Sequence, residues 1–151
     1  MSIVYLSLGS NLGDRNHFID CAICEIDKRI GEVTKVSNRY ETEPWGFISE
    51  NKFINVAVEV KTKLSASETS VIIHKIEDEL GRKRDINSNG YEDRVIDIDI
   101  LMFDNIISNN ESLTLPHPKM HLREFVIAPL REIAPEIIHP VLGIAIKDIK
   151  L

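Results

Sequence analysis

The sequence is poor in the features that hold very small or membrane-bound proteins together. It has 2 cysteines in 151 residues, 6% aromatic residues, and no apolar run that approaches the ~18 residues of a membrane helix. A disulfide framework and a membrane span are therefore excluded as organising principles. The first residues, Met1-Ser2-Ile3-Val4-Tyr5-Leu6, contain no basic segment and no small-residue cleavage site, so we expect a cytoplasmic protein that does not bind membranes.

The two cysteines, Cys21 and Cys24, lie three positions apart in a stretch with helical periodicity. Zinc binding is disfavoured because no second pair of ligands follows at a suitable spacing. Two interpretations stay open: a redox pair, and two small side chains packed on the buried side of a helix. The helical pattern favours packing.

The net charge of −6 limits the kinds of partner that the chain can have. An acidic protein does not bind nucleic-acid backbones broadly, so we expect no nucleic-acid partner and a small-molecule ligand instead. The length and the 43% apolar content fit one domain over residues 1–151, which we expect to be monomeric.

Hydrophobic periodicity predicts the order strand, helix, strand, strand, helix, strand. Asp14 is predicted to cap the first helix, and Gly31 and Gly81 to end the two helices. This order is that of a ferredoxin-like βαββαβ sandwich, an α+β fold, here with a C-terminal extension. Two helices would cover one sheet face, leaving the other face for a ligand cleft. The predicted strands are 3–8, 33–42, 53–62 and the segment after 94, and the predicted helices are about 15–30 and 66–80.

The C-terminal third carries weaker signals. A hairpin is predicted at Asp104-Asn105, followed by an extended segment over 112–118. Residues 123–133 are predicted to form a short helix that Pro129 interrupts.

The segment Arg94-Val95-Ile96-Asp97-Ile98-Asp99-Ile100 alternates between apolar and acidic residues. In a strand, Asp97 and Asp99 share one face, roughly 6–7 Å apart, and the isoleucines share the other. Two carboxylates so close favour a cation between them, and Mg²⁺ suits them. The competing interpretation is the solvated face of an edge strand.

The strand over 53–62 also alternates, with Phe53 and Asn55 on the face opposite to its valines. This face offers an aromatic ring for stacking beside a carboxamide that both donates and accepts hydrogen bonds. The parity of the two strands allows Phe53, Asn55, Asp97 and Asp99 to face one cleft.

Several short motifs then occur in a fixed order along the chain, and together they resemble the 6-hydroxymethyl-7,8-dihydropterin pyrophosphokinase family of folate biosynthesis. The resemblance extends over essentially the whole length. The matching segments are Gly9-Ser10-Asn11-Leu12, Tyr40-x-Thr42-x-Pro44-x-Gly46, Phe53-Ile54-Asn55-x-Ala57, Ile76-Glu77-x-x-x-Gly81-Arg82-x-Arg84, Arg94-x-Ile96-Asp97-Ile98-Asp99-Ile100, and Leu113-Thr114-Leu115-Pro116-His117-Pro118-x-Met120 with Arg123-x-Phe125.

The resemblance implies an ATP-dependent diphosphotransferase that moves the β,γ-pyrophosphoryl group of ATP to the hydroxymethyl oxygen of a reduced pterin, releasing AMP. Such chemistry requires positioning and charge neutralisation above all. The implied cofactor is Mg²⁺, two ions with ATP, held by Asp97 and Asp99. One ion could polarise the attacking hydroxyl, and no side chain stands out as a dedicated general base.

The resemblance also implies roles for residues that the patterns alone do not assign. The resemblance implies a catalytic role for four residues: Arg84, Arg94, Asp97 and Asp99. ATP binding falls to Glu77, Arg82, Arg84, Arg94, Ile100, Thr114, His117 and Arg123, with the polar connection over 82–94 as a lid. Pterin binding falls to Thr42, Glu43, Pro44, Trp45, Phe53, Asn55, Tyr91 and Phe125, with Phe53 and Phe125 stacking on the heterocycle.

Two other functions are compatible with parts of the pattern. Another Mg²⁺-dependent phosphoryl or nucleotidyl transferase would keep the aspartate pair, but Phe53-x-Asn55 and Thr42-x-Pro44 favour a pterin. A ferredoxin-like nucleic-acid-binding module would need a basic surface and paired sheet aromatics, which this acidic chain does not offer.

Overall fold

The computed structural model describes residues 1–43, 51–81 and 95–151, where an antiparallel sheet carries helices on both faces. The helices in these ranges are α1 (Arg15–Arg29), α2 (Ala66–Glu79) and α3 (Glu124–Ile133). The strands are β1 (Ser2–Ser10), β2 (Gly31–Val36), β3 (Tyr40–Thr42), β4 (Phe53–Thr62), β5 (Asp97–Phe103), β6 (Ser108–Asn110) and β7 (Leu113–Leu115). Short 3-10 turns cover Met120–Leu122 and Ile146–Asp148. None of the helices described here has the length and apolar content to span a membrane.

The main sheet has the strand order β2-β4-β1-β5, and β3 pairs with β4 beside β2. β1 is bonded to β4 on one side and to β5 on the other. The single strand predicted over 33–42 is in fact two strands, because the backbone leaves the ladder at Ser37. There the hydroxyl of Ser37 accepts the N–H of Ala57 at 2.9 Å, and the N–H of Ser37 donates to the carbonyl of Ala57.

One face of the sheet packs against α1 and α2. Leu6 and Leu8 of β1 and Val56 of β4 are fully buried there beneath Ile26 of α1 and Ile76 of α2. Their spacing explains the packing, since alternate strand residues meet every third or fourth helix residue. We call this the helix-side core.

The starts of both helices follow the local signals. Asp14 Oδ1 accepts the N–H of His17 at 3.1 Å at the start of α1, as predicted. Ser65 and Glu68 form a reciprocal capping box at the start of α2. Gly81, at φ +101°, follows the end of α2, also as predicted.

Gly31 follows α1, but it does not act as a left-handed stop. It is the first residue of β2, and a Cβ at this position would lie 2.0 Å from the carbonyl oxygen of Lys61. Glycine is needed here for the close approach of β2 to β4.

The other face of the sheet is only partly left for a ligand, which corrects the expectation that it would be uncovered. α3 packs Val126, Ile127 and Leu130 against Tyr5 of β1 and Met102 of β5. We call this cluster the second-face core. It covers one end of the face.

α3 runs through Pro129 without a break, so the predicted interruption is wrong. A proline inside a helix costs about 3 kcal/mol because it removes one backbone hydrogen bond and crowds the preceding turn. Full burial of a Val, Ile or Leu side chain contributes roughly 1.5–3 kcal/mol. The buried Val126, Ile127 and Leu130 therefore outweigh the cost of Pro129.

Two further expectations need correction. Asp104, at φ +51°, turns the chain and bonds Ile3 through its N–H and its carboxylate, but the next strand, β6, pairs with β7 and not with β5. The packing interpretation of the cysteines is wrong for Cys24, which is exposed; Cys21 is half-buried, and both are free thiols.

Candidate active site

Asn55 of β4 and Asp97 of β5 lie on either side of Gly9 of β1, at one end of the sheet face opposite to α1 and α2. Gly9 of β1 is paired with Asn55 of β4 on one side and with Asp97 of β5 on the other. Neighbouring strands lie ~4.8 Å apart, so the backbones at Asn55 and Asp97 are separated by about 10 Å. By strand parity, Phe53 and Asp99 project from the same face. The structure thus brings the two predicted pairs together.

Asn55 is held in a fixed orientation. Its Nδ2 donates to Oγ1 of Thr42 at 2.6 Å, and the residue is 3% exposed. A Cβ on Gly9 would lie 3.2 Å from Oδ1 of Asn55 and 3.5 Å from the ring of Phe53. A side chain at this position would therefore press on the carboxamide of Asn55. The sequence patterns assign no role to Gly9, although a glycine inside a strand signals such a close approach.

Asp97 and Asp99 are half-buried, whereas Ile96, Ile98 and Ile100 between and beside them are 0%, 4% and 8% exposed. In the described part of the chain, no group of three or more His, Cys, Asp or Glu side chains could hold a metal ion. Mg²⁺ is commonly bound by one or two carboxylates together with substrate phosphates and water. The aspartate pair fits a Mg²⁺ ion that arrives with a nucleotide.

Glu77 of α2 is fully buried and contacts the aspartate strand from the helix side of the sheet. Its Oε2 accepts the backbone N–H of Ile98 at 2.9 Å, and its Oε1 lies 3.2 Å from Nδ1 of His74. The ATP contact that the resemblance implies for Glu77 stays a prediction.

His117 lies beside the aspartate strand, where its backbone N–H donates to the backbone carbonyl of Leu101 at 2.8 Å. Its Nδ1 accepts the N–H of Lys119 at 3.1 Å, which leaves the ring proton on Nε2. Burial first, and then the positive charge of Arg123, lower the pKa of His117 to about 4, against an opposing effect of Asp97. At neutral pH, His117 is an uncharged Nε2–H donor.

Arg123 and Phe125 stand at the start of α3, close enough to His117 for the Arg123 charge to act on it. The guanidinium carbon of Arg123 is 5.6 Å from the centroid of the Phe125 ring, within the range of a cation–π contact. Arg123 is 9% exposed, and Phe125 packs against the edge of the second-face core. A cation and an aromatic ring thus reach the same side of the sheet as the aspartates.

Two predicted ATP-binding residues, Ile100 and Thr114, lie on or beside the aspartate strand. The side chain of Ile100 is buried in the helix-side core, away from the aspartate face. Thr114, in β7, donates from Oγ1 to the carbonyl of Asn110 at 3.1 Å and is half-buried. ATP binding by these two residues stays a prediction.

Most of the remaining predicted site residues lie outside the ranges that the structure describes, or next to them. Glu43 is exposed, with its carboxylate 3.6 Å from Nζ of Lys52. Six predicted site residues lie outside the described residues: Pro44, Trp45, Arg82, Arg84, Tyr91 and Arg94.

A polar cavity of about 360 Å³ lies beside the loop after β1 and is separate from the aspartate face. Arg15 and Glu41, which are paired at 3.1 Å, are among its lining residues. Glu41 is paired with Ile54 of the helix-side core, so the cavity lies toward the helix side of the sheet.

Comparison with known proteins identifies relatives over most of the chain. A model of the 7,8-dihydro-6-hydroxymethylpterin-pyrophosphokinase (HPPK) family matches residues 5–135. The chain is 45% identical over 142 residues to a 2-amino-4-hydroxy-6-hydroxymethyldihydropteridine pyrophosphokinase of Porphyromonas gingivalis, covering 93% of this chain and 95% of that protein. It is 41% identical over 137 residues to the Bacillus subtilis protein of the same name, covering 90% and 80%.

A solved structure shares the fold. Wild-type HPPK-DHPS of Plasmodium falciparum matches with a TM-score of 0.76 at 17% identity. The match covers 97% of this chain and 43% of the other, so the chain spans less than half of that longer protein. The sheet and its helices are therefore arranged as in part of that protein.

Proposed function

Since the chain belongs to the 7,8-dihydro-6-hydroxymethylpterin-pyrophosphokinase family, we propose that it transfers pyrophosphate from ATP to the hydroxymethyl group of 6-hydroxymethyl-7,8-dihydropterin in folate biosynthesis. AMP and the pterin diphosphate are the products. The observation that carries the proposal is the pairing of Gly9 with both Asn55 and Asp97. It separates the backbones of Asn55, the proposed contact for the edge of a flat heterocycle, and Asp97, the proposed metal ligand, by about 10 Å.

For the nucleotide, we propose that Asp97 and Asp99 hold two Mg²⁺ ions with the triphosphate. When bound, Mg²⁺ neutralises phosphate charge and polarises the attacking hydroxyl. Nε2–H of His117 donates to a phosphate oxygen, and the guanidinium of Arg123 adds positive charge beside it, a placement supported by the effect of Arg123 and Asp97 on the pKa of His117. The protein thus orients and neutralises the group that is transferred.

For the pterin, we propose that the ring lies over Gly9 between Phe53 and Phe125. Asn55 and Thr42 form hydrogen bonds with the polar edge of the ring. The hydrogen bond from Asn55 Nδ2 to Thr42 Oγ1 supports this, because it orients the Oδ1 acceptor of Asn55 and leaves the Thr42 hydroxyl proton as a donor. Glu43, Pro44, Trp45 and Tyr91 stay predictions for the rim of this site.

We further propose that residues 1–151 form one domain with the ferredoxin-like βαββαβ arrangement and its cleft on the second face. The strand order β2-β4-β1-β5 and the packing of α1 and α2 on one face support this. The cytoplasmic location and the monomeric state stay predictions of the sequence.

The test is phosphorus NMR of the protein with ATP, Mg²⁺ and 6-hydroxymethyl-7,8-dihydropterin. We expect the ATP resonances to be replaced by those of AMP and a pterin diphosphate, only when the pterin is present. Formation of ADP would indicate a different phosphoryl transferase, and turnover that is independent of the pterin would also overturn the proposal.

A further inference from the structure

The aspartate strand is anchored on both sides. In the described part of the chain, β5 is at an edge of the main sheet and pairs only with β1. The edge of a strand presents backbone N–H groups that need partners. Ile98, the residue between the two aspartates, donates its N–H to Oε2 of Glu77 at 2.9 Å.

We propose that Glu77 is a positioning residue for the metal site, acting through the backbone of Ile98. The proposal rests on the proposed function, because it takes Asp97 and Asp99 as the residues that hold Mg²⁺. By holding the peptide between them, the Glu77 carboxylate sets the direction in which both aspartate side chains leave the strand.

The local geometry makes this contact effective. Glu77 is 0% exposed and extends from α2, whose Ile76 is fully buried in the helix-side core. A hydrogen bond from a backbone N–H to a carboxylate is roughly twice as strong as one between neutral groups. Two residues are aligned by one such bond, since Asp97 and Asp99 flank Ile98 directly.

Direct contact of Glu77 with the nucleotide is the competing role, and the two roles differ in what they do to binding. A residue that contacts ATP contributes to nucleotide affinity with or without metal. A residue that orients metal-binding carboxylates contributes only when the metal is present.

The test uses Mn²⁺ as a paramagnetic substitute for Mg²⁺ and an α,β-methylene analogue of ATP that resists transfer. We compare the parent protein with Glu77→Ala and Glu77→Gln by electron paramagnetic resonance titration. The control is Glu79→Ala, which removes an exposed carboxylate from the same helix, one that pairs with Arg29 at 2.5 Å.

Loss of a residue that orients metal ligands typically weakens metal affinity roughly 10- to 100-fold. We expect a loss of that size in Glu77→Ala, a smaller loss in Glu77→Gln, which keeps an oxygen acceptor, and none in Glu79→Ala. Affinity for the analogue without metal is expected to stay within about twofold of the parent. Equal weakening of metal-free nucleotide binding, or unchanged Mn²⁺ affinity in Glu77→Ala, would overturn the proposal.

A second measurement follows Ile98 itself. Hydrogen exchange of its amide, read by NMR, is expected to accelerate in Glu77→Ala relative to that of Leu6 in the middle of β1, because the acceptor is lost. Exchange that stays as in the parent would overturn the proposal. If Glu77→Ala does not fold, Glu77→Gln decides: Mn²⁺ affinity and Ile98 protection must fall together, and a change in only one or in neither counts against the role.

These measurements involve no pterin and no turnover. Failure of the proposed function would show as absence of AMP and pterin diphosphate with the parent protein. Failure of the positioning role would show as Mn²⁺ binding that does not depend on Glu77.

Discussion

Substitution of Asp97 or Asp99 is expected to affect a different property of the protein than substitution of the neighbouring isoleucines. Each is half-buried on the second face, whereas Ile96, Ile98 and Ile100 fill the opposite face. The alternation separates the two proposed metal ligands from the side chains that pack the core within one strand. Activity and stability can therefore be changed independently here.

Asp97→Asn and Asp99→Asn are each expected to lower the rate of pyrophosphate transfer by roughly a hundredfold or more, because an amide is a poor substitute for a carboxylate on Mg²⁺. The free energy of unfolding is expected to change by less than about 1 kcal/mol. Coupled AMP formation and urea unfolding measure the two effects. Glu111→Gln, at an exposed residue, is the control, and full Mg²⁺-dependent activity in either aspartate variant would remove that residue from the metal site.

His117 makes the stability of the protein depend on pH. Its pKa is lowered from 6.5 to about 4 in the folded chain, so below pH 6.5 the unfolded chain binds a proton that the folded chain does not. Its contribution is fully present above pH 6.5 and is lost as the pH falls toward 4.

The matched variant is His117→Asn, whose side-chain oxygen can still accept the N–H of Lys119. Between pH 6.5 and 4 without ATP or Mg²⁺, the parent is expected to lose up to ~3 kcal/mol more unfolding free energy than the variant, as its pKa of about 4 implies. Urea unfolding at both pH values gives this difference. Parallel pH profiles of parent and variant would contradict the neutral state of the half-buried His117.

At this scale the sequence predicts which residues share a face, but not what each one touches. Phe53, Asn55, Asp97 and Asp99 follow from the period of two within a strand, which is local. The burial of Glu77 against Ile98 and the place of Gly9 between Asn55 and Asp97 depend on pairings between segments 21 to 88 residues apart. No local period contains that information.

Among the elements, the starts of α1 and α2 and the stop at Gly81 after α2 were predictable. The role of Gly31 and the course of α3 through Pro129 were not. Asp14 and Ser65 cap α1 and α2 through contacts within three residues. The continuation of α3 through Pro129 depends on burial against the sheet. The role of Gly31 depends on β4, which lies far along the chain.

Gly31→Ala is expected to destabilise the fold by about 1–3 kcal/mol, the usual cost of forcing a group into a filled site. The reason is that a Cβ at this position would lie 2.0 Å from the carbonyl oxygen of Lys61 in β4. Chemical denaturation measures the loss. The control is Glu32→Ala, at the next residue of β2, which is exposed. It is expected to change the free energy of unfolding by less than ~0.5 kcal/mol. Similar losses in the two variants would mean that β2 moves to accommodate the Cβ, and would contradict the role of Gly31.

In the whole molecule, one sheet serves both cores. Leu6 belongs to the helix-side core and the neighbouring Tyr5 to the second-face core, and β4 divides its residues in the same way. Neither core can lose its strands without exposing the other. The described parts should therefore unfold as one cooperative unit.

Ile26→Ala in the helix-side core and Leu130→Ala in the second-face core are each expected to cost about 2–5 kcal/mol. Both residues are fully buried. Differential scanning calorimetry should show a single transition at a lower Tm in each variant, with equal calorimetric and van't Hoff enthalpies. Val71→Ala, at a residue that is 54% exposed, is the control, and a split transition in either core variant would show that the cores unfold separately.

Because Gly9 of β1 pairs with both neighbouring strands, β1 fixes the distance between Asn55 of β4 and Asp97 of β5 along the sheet. Spacing between bonded strands varies little, so the separation between the backbones of Asn55, the proposed pterin contact, and Asp97, the proposed metal ligand, is set by the strand pairing. Insertions and substitutions in the connections between elements can change affinity without changing this separation. Under the proposed function, regiochemistry, the choice of which atom of the substrate reacts, depends on the register of the sheet and not on the connections between its strands.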